Sequence, residues 1–230
     1  MKITWLGHGS FRIEIDHQVL LIDPWLTGNP SFPDDRRAEA LDGASQILLT
    51  HAHGDHASEI VAIHKETGAP LNGMFDLIEH WQQTEGVEGT GFNKGGTITF
   101  GDVKVTMVTA SHSNSADWSD ADLPVGSEVG YMISGEGRTI YFSGDTDIMA
   151  DMDWMGDYHK PDIGILSAGG FFTMDMARAA YAAKRYFDFK VVIPGHYGTF
   201  GALESTADDL KAGLPGVDVR TPGVMETFEL

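Results

Sequence analysis

Thr50-His51-Ala52-His53-Gly54-Asp55-His56 follows Gln46-Ile47-Leu48-Leu49, a short apolar run of the kind that forms a buried strand. Four of the seven residues carry side chains that bind divalent metals. Isolated loop histidines are usually solvated. A His-x-His-x-Asp-His cluster directly after a strand instead places several imidazoles and a carboxylate on one rigid edge, as a metal site requires.

Three further apolar strands end the same way. Met107-Val108 leads to His112, Tyr141-Phe142 to Asp145, and Val192-Ile193 to His196. Four strand ends carrying ligand residues suggest one edge of a sheet assembly that gathers them at a point. The set is His51, His53, Asp55, His56, His112, Asp145 and His196. Seven ligands suit two metal ions, each with an open position for water.

The rest of the chain supplies the scaffold. Lys2–Leu6, Phe11–Ile15 and Val19–Ile22 read as a meander of short strands, and Thr27–Asp35 as a loop expected to overhang the site. Arg36–Leu41, Ala57–Thr67 (stopped by Gly68) and Phe75–Gln83 read as helices. Strand patterning returns with hairpins at Thr97–Val108 and Glu128–Phe142. Between them, Asn114–Gly126 is a long polar loop carrying Trp118. Asp162–Leu166 and Lys190–Ile193 are strands. Thr173 is the expected cap of a helix over Met174–Phe187, Leu203–Lys211 a closing helix, and Val217–Phe228 one or two last strands. A two-half pattern emerges, each half beginning with hairpins and continuing in strand–helix alternation.

The order His51-Ala-His53-Gly-Asp55-His56, His112, Asp145, His196 resembles the metallo-β-lactamase superfamily over nearly the whole chain. The resemblance implies an α/β fold: a four-layer αββα sandwich of two mixed β-sheets flanked by helices, as a single domain over residues 1–230. It implies that His51, His53 and His112 hold one metal, that Asp55, His56 and His196 hold a second, and that Asp145 bridges them. Trp5-Leu6-Gly7-His8, Ile22-Asp23-Pro24 and His196-Tyr197-Gly198-Thr199-Phe200 look closest to a branch of small metal-dependent hydrolases similar to the ascorbate-6-phosphate lactonase group. Diiron relatives usually carry Glu at the position of His53, so a His there favours hydrolysis over redox chemistry.

Two adjacent cations lower the pKa of a shared water from near 16 towards about 7, and the resulting hydroxide attacks an electrophilic carbon or phosphorus. Zn²⁺ suits a sulfur-free, His-rich site best, and Mn²⁺, Fe²⁺ or Ni²⁺ are also accepted. Asp55 is expected to orient the nucleophile or pass a proton to the leaving group. His8 and Tyr197 are further catalytic candidates, as an acid or substrate contact and as an oxyanion donor. Asp23 is expected to fix a ligand histidine from behind. Gly170 and Thr173, at a strand end that opens a helix, are candidates for the substrate pocket. His17, His64, His80 and His159 lack supporting ligands and read as surface or packing residues.

Composition narrows the function. With 34 acidic against 15 basic residues, the formal charge of −19 repels nucleic acid and anionic membranes. Small anionic substrates stay open, because two divalent ions would place about four positive charges at the site. Cysteine is absent, which removes disulfides and thiolate ligands. No secretory signal is evident and no window approaches the ~18 apolar residues of a membrane span. A cytoplasmic protein acting on a small-molecule substrate is expected, with self-association left open. A lactone or other ester is the leading substrate and a small or lipid-derived phosphodiester the alternative. A non-hydrolytic metal-binding sensor or scaffold is the competing class.

Overall fold

A computed structural model describes residues 1–230. The chain first builds β1 (Lys2–Gly7), β2 (Ser10–Ile15) and β3 (Gln18–Ile22) as an antiparallel meander. After a loop and the short α1 (Arg37–Leu41) come β4 (Gln46–Leu48), α2 (Gly54–Ala57), α3 (Ile60–Thr67), β5 (Leu71–Met74), α4 (Phe75–Thr84) and β6 (Gly89–Phe92). β3 to β6 pair in parallel through these helical crossovers. The second half repeats the plan. β7 (Thr97–Phe100), β8 (Val103–Thr109), β9 (Val129–Gly135) and β10 (Arg138–Phe142) are antiparallel. Then α5 (Met152–His159), β11 (Ile163–Ser167), α6 (Met176–Tyr186), β12 (Val191–Gly195), α7 (Asp208–Gly213) and β13 (Asp218–Val219) add parallel strands. β14 (Thr227–Glu229) returns to the first sheet beside β1.

The result is two seven-stranded mixed sheets flanked by helices, the sandwich the sequence implied. Period-two alternation explains it: Leu20, Ile22 and Leu48 join the core shared with the second sheet, while Leu21 and Ile47 join a separate core with Ile60, Ile63, Leu77 and Trp81 of α3 and α4. Both faces of the first sheet are thus covered, and the strand ends that carry the expected ligands are held on a packed frame. No helix is long and apolar enough to cross a membrane.

Local expectations needed three corrections. β5 and β6 lie where no strand was expected, because Leu71-Asn72-Gly73-Met74 does not alternate. The amide Nδ2 of buried Asn72 donates to Ile47 O and Pro70 O and so belongs to the sheet in spite of its polarity. α6 is capped by Asp175, whose Oδ1 accepts from Arg178 N at 2.7 Å; the Thr173 hydroxyl donates to Met174 O instead. The closing helix starts at Asp208 and not at Leu203, because Glu204 is engaged outside it: its N–H donates to Gly169 O and its carbonyl accepts from Gly198 N.

Removing the α6 cap with Asp175→Ala should cost about 1 kcal/mol, and Thr173→Ala under about 0.5 kcal/mol. Urea midpoints of the two variants measure this; the reverse order would return the cap to Thr173.

Candidate metal centre

The seven expected ligands come together. His51, His53, Asp55 and His56 follow β4, His112 follows β8, Asp145 follows β10 and His196 follows β12. The ligand atoms of His51, His53 and His112 lie within 4.8 Å of one another, and so do those of Asp55, His56 and His196, with His8 beside them. Asp145 stands between the groups. Its Oδ2 lies 3.9 and 3.7 Å from Nε2 of His51 and His112, and 3.5 and 3.1 Å from Nε2 of His56 and His196.

Asp23 sets the orientation of the imidazoles. It is fully buried at the end of β3 and accepts three hydrogen bonds: from Thr50 N at 2.7 Å, from Thr50 Oγ1 at 2.5 Å and from His56 Nδ1 at 2.8 Å. Burial raises its pKa against the pull of His56 and Thr50, and three donors on two oxygens favour the carboxylate form. His56 must then carry its proton on Nδ1. Thr50 Oγ1, having donated to Asp23, is left to accept from His51 Nδ1 at 3.0 Å. Both rings therefore turn a lone pair on Nε2 into the site: that of His56 faces Asp145, and that of His51 accepts from His53 Nδ1 at 3.0 Å with Asp145 beyond. His56 Nε2 is buried and has no hydrogen-bond partner.

Lone pairs facing a carboxylate oxygen at these distances repel unless cations stand between them. The same demand shows in the titration of the groups. Burial pulls His196 down, but Asp145 and Asp55 outweigh it and raise its pKa to about 9. Burial likewise opposes the charge on His56, yet Asp145, Asp55 and Asp23 hold it well above the usual imidazole range. Asp145 is held well below the carboxylate range, since His196 and His56 overcome its burial. Burial keeps His51 and His112 low and hence neutral, the form that ligates a metal. The donor set and the unpartnered Nε2 fit divalent cations.

Asp55 is fixed from behind. His8 Nε2 donates to its Oδ2 at 2.8 Å, and His8 Nδ1 accepts from Thr199 Oγ1 at 3.0 Å. Burial lowers the His8 pKa to about 4, so the ring is neutral and holds Asp55 as an ordinary donor. The ring centroids of His8 and His196 are 3.9 Å apart, and His196 N donates to His8 O. Gly9 lets the β1–β2 turn pass close: a Cβ there would stand 2.6 Å from His56 Cε1. His8, Asp23 and His196 have φ of 52°, 47° and 60°, left-handed conformations that tend to persist at functional sites because the surroundings over-determine them.

The polar loop after His112 clamps the motif. Asn114 Oδ1 accepts from Ala52 N, Asp117 Oδ1 accepts from Gly54 N, and the Trp118 indole donates to Ala52 O. Trp118 is thus the loop's anchor. The centre opens into a cavity of about 660 Å³ lined by His53, Asp55, His112, Asp145 and His196 on its floor and by Trp25, Asp117, Phe172 and Phe200 among its walls.

Three candidates lie elsewhere. Tyr197 does not line the cavity; its ring stacks on Trp5, centroids 5.1 Å apart, within the core. Gly170 and Thr173 are not in the lining either, and Phe172 between them is. His64 is buried and structural, with Nδ1 donating to Ala69 O and Nε2 accepting from Glu88 N. Thr50 and Thr199 are the functional side chains that sequence reasoning missed. Thr50 directly precedes the first ligand, and that adjacency was the only local signal.

Residues 18–208 match the family described as a β-lactamase superfamily domain. A UPF0173 metal-dependent hydrolase of Dinoroseobacter shibae is 64% identical over 230 residues, covering 100% of both chains. Another, of Cereibacter sphaeroides, is 62% identical with the same full coverage. Among solved structures, a metallo hydrolase of the hyperthermophilic archaeon Ignicoccus hospitalis is similar at a TM-score of 0.85 and 30% identity, over 100% of this chain and 98% of that one.

Asp23→Asn removes an acceptor from the Thr50–His56 pair while keeping its volume. It should weaken zinc binding by about 10–100-fold in competition with a chromogenic chelator. Unchanged affinity would mean that Asp23 is only a turn residue.

Proposed function

The chain belongs to the β-lactamase superfamily, and we propose on that basis that it is a binuclear metal-dependent hydrolase cleaving a lactone or other small ester. The observation that carries the binuclear assignment is the position of Asp145 Oδ2 between two ligand groups, 3.1–3.9 Å from four imidazole nitrogens. Hydrolysis is supported by the full-length relatives named metal-dependent hydrolases and by His at position 53.

His51, His53 and His112 would hold one ion, and Asp55, His56 and His196 the other, with Asp145 shared between them. Zinc is the ion this donor set favours, and manganese, iron or nickel fit it less specifically. Two such ions would polarise a scissile carbonyl and make a water nucleophilic at neutral pH.

The protein's own groups prepare the site for this chemistry. Asp23 and Thr50 fix the tautomers of His56 and His51, so no reorientation of these ligands is needed during turnover. His8 and Thr199 hold Asp55 through its Oδ2. Asp55 lines the cavity, and its Oδ1 takes no hydrogen bond from the protein. That oxygen is the atom we assign to take the proton given up by the attacking water and pass it to the leaving alkoxide. His8 thereby acts as a positioning residue, reaching substrate only through Asp55.

The zinc-loaded protein should hydrolyse simple lactones and aryl esters faster than bis-nitrophenyl phosphate or a cephalosporin. Asp145→Ala and His53→Ala should each lower kcat/KM by at least about 100-fold, since a lost ligand removes several kcal/mol of charge stabilisation. Turnover of the phosphate diester alone would replace the ester assignment with a phosphodiesterase. Full turnover in both variants would end the binuclear one.

A further inference from the structure

Beyond the ligand floor, the cavity is lined by the apolar side chains of Trp25, Phe172, Phe200 and Ala202, and Asp117 stands in its lining. No lysine or arginine lines it. Phe172 and Phe200 are 53% and 37% exposed, a large apolar area to leave in water at the mouth of a polar site. The aromatic residues form two groups: Phe200 lies 6.1 Å from Trp25 and 5.2 Å from His8 between ring centroids, and Phe171 packs edge-on to Phe172 at 4.7 Å.

The Phe pair is held in place by its turn. Gly170 N donates to Met174 O and Phe172 N donates to Gly170 O, which closes the turn on both sides. Phe171 adopts a φ of 56°, a left-handed conformation unfavourable for an aromatic residue. A conformation of that kind persists where the surroundings enforce it, and it presents Phe172 at the cavity.

We propose that this wall selects the substrate: the part of the molecule remote from the scissile bond is uncharged and apolar, an alkyl or aryl group seated against Phe172, Phe200 and Trp25. The proposal rests on the ester-hydrolase assignment and narrows it. A remote carboxylate or phosphate would find no cationic partner there, would lose hydration against the aromatic rings, and would be repelled by Asp117. Ions held by the floor residues would accept negative charge developing at the reacting centre and would leave the wall unchanged. A phosphorylated lactone, the substrate type suggested by the ascorbate-6-phosphate lactonase resemblance, is therefore disfavoured.

The test uses the zinc-loaded full-length protein and two esters of equal chain length, 4-nitrophenyl hexanoate and the mono-4-nitrophenyl ester of adipic acid. The neutral ester should have a kcat/KM at least about 10-fold higher, mostly through KM. Phe172→Ala and Phe200→Ala should each cost the hexanoate about 10-fold, and more than they cost the acetate ester, because the longer tail is what they bury. Asp117→Asn, which keeps the Oδ1 acceptor for Gly54 N, should narrow the preference by about 3-fold or more. Equal rates for the two esters, or a preference for the adipate, overturn the proposal.

If neither ester is turned over, the ester-hydrolase assignment is what fails. Calorimetry with the matching anilides, N-(4-nitrophenyl)hexanamide and its ω-carboxylate, then decides the wall independently of turnover. Tighter binding of the neutral anilide that Phe172→Ala weakens supports the apolar wall. Equal or tighter binding of the carboxylate contradicts it.

Discussion

A single buried carboxylate oxygen, Oδ2 of Asp145, faces Nε2 of His51, His56, His112 and His196. In a low-dielectric interior that arrangement is stable only with positive charge among its members. The cluster is able to hold cations that would supply it. The ring lone pairs are aimed inward by Asp23 and Thr50, and the carboxylates raise the proton affinity of His56 and His196. Both sheets contribute, since the His51 cluster leaves the first while His112, Asp145 and His196 leave the second. Assembly of the centre is therefore the closing of the sandwich itself. Val129 N donates to Thr50 O and the Tyr131 hydroxyl to Leu49 O, tying the second sheet to the motif's own backbone.

Rigidity of the floor contrasts with the openness above it. The expected ligands follow the ends of buried strands, Asp55 and His56 at the start of α2 after β4, and the backbone strain at His8, Asp23 and His196 is held by packing on every side. The walls come instead from four connections: the segment around Trp25, the loop after His112, the turn at Phe172 and the segment after His196 that carries Phe200. Such a division keeps the reacting geometry constant while chain segments free of sheet constraints set which molecule fits. Gly144 belongs to the rigid part. Its φ of 58° and a hypothetical Cβ only 2.5 Å from Val129 O show how tightly the turn to Asp145 passes the neighbouring strand.

Much of this was legible in the sequence because the chemistry coincides with simple periodicity. Short apolar runs ending in His or Asp mark both the strands and the side chains that cluster at the candidate site, and the repeated hairpin-then-alternation pattern matches the repeated antiparallel-then-parallel sheets. What escaped is long-range pairing. Nothing near Thr199 indicates that its hydroxyl will meet His8, and nothing near Asn72 indicates that an amide will stitch a buried strand. Adjacent residues misled in the same way. Asp175 and not Thr173 caps α6, and Phe172 and not its neighbours lines the cavity, because the turn at Gly170 decides which side chain points where. Tyr197 follows a ligand in the chain, but the left-handed turn at His196 and the stack on Trp5 take it into the core.

Anomalous diffraction at the zinc edge from crystals of the zinc-loaded protein tests the bridging arrangement most directly. Two peaks are predicted, one among His51, His53 and His112 and one among Asp55, His56 and His196, with Asp145 in contact with both. A single peak, or a second one away from Asp145, would contradict it.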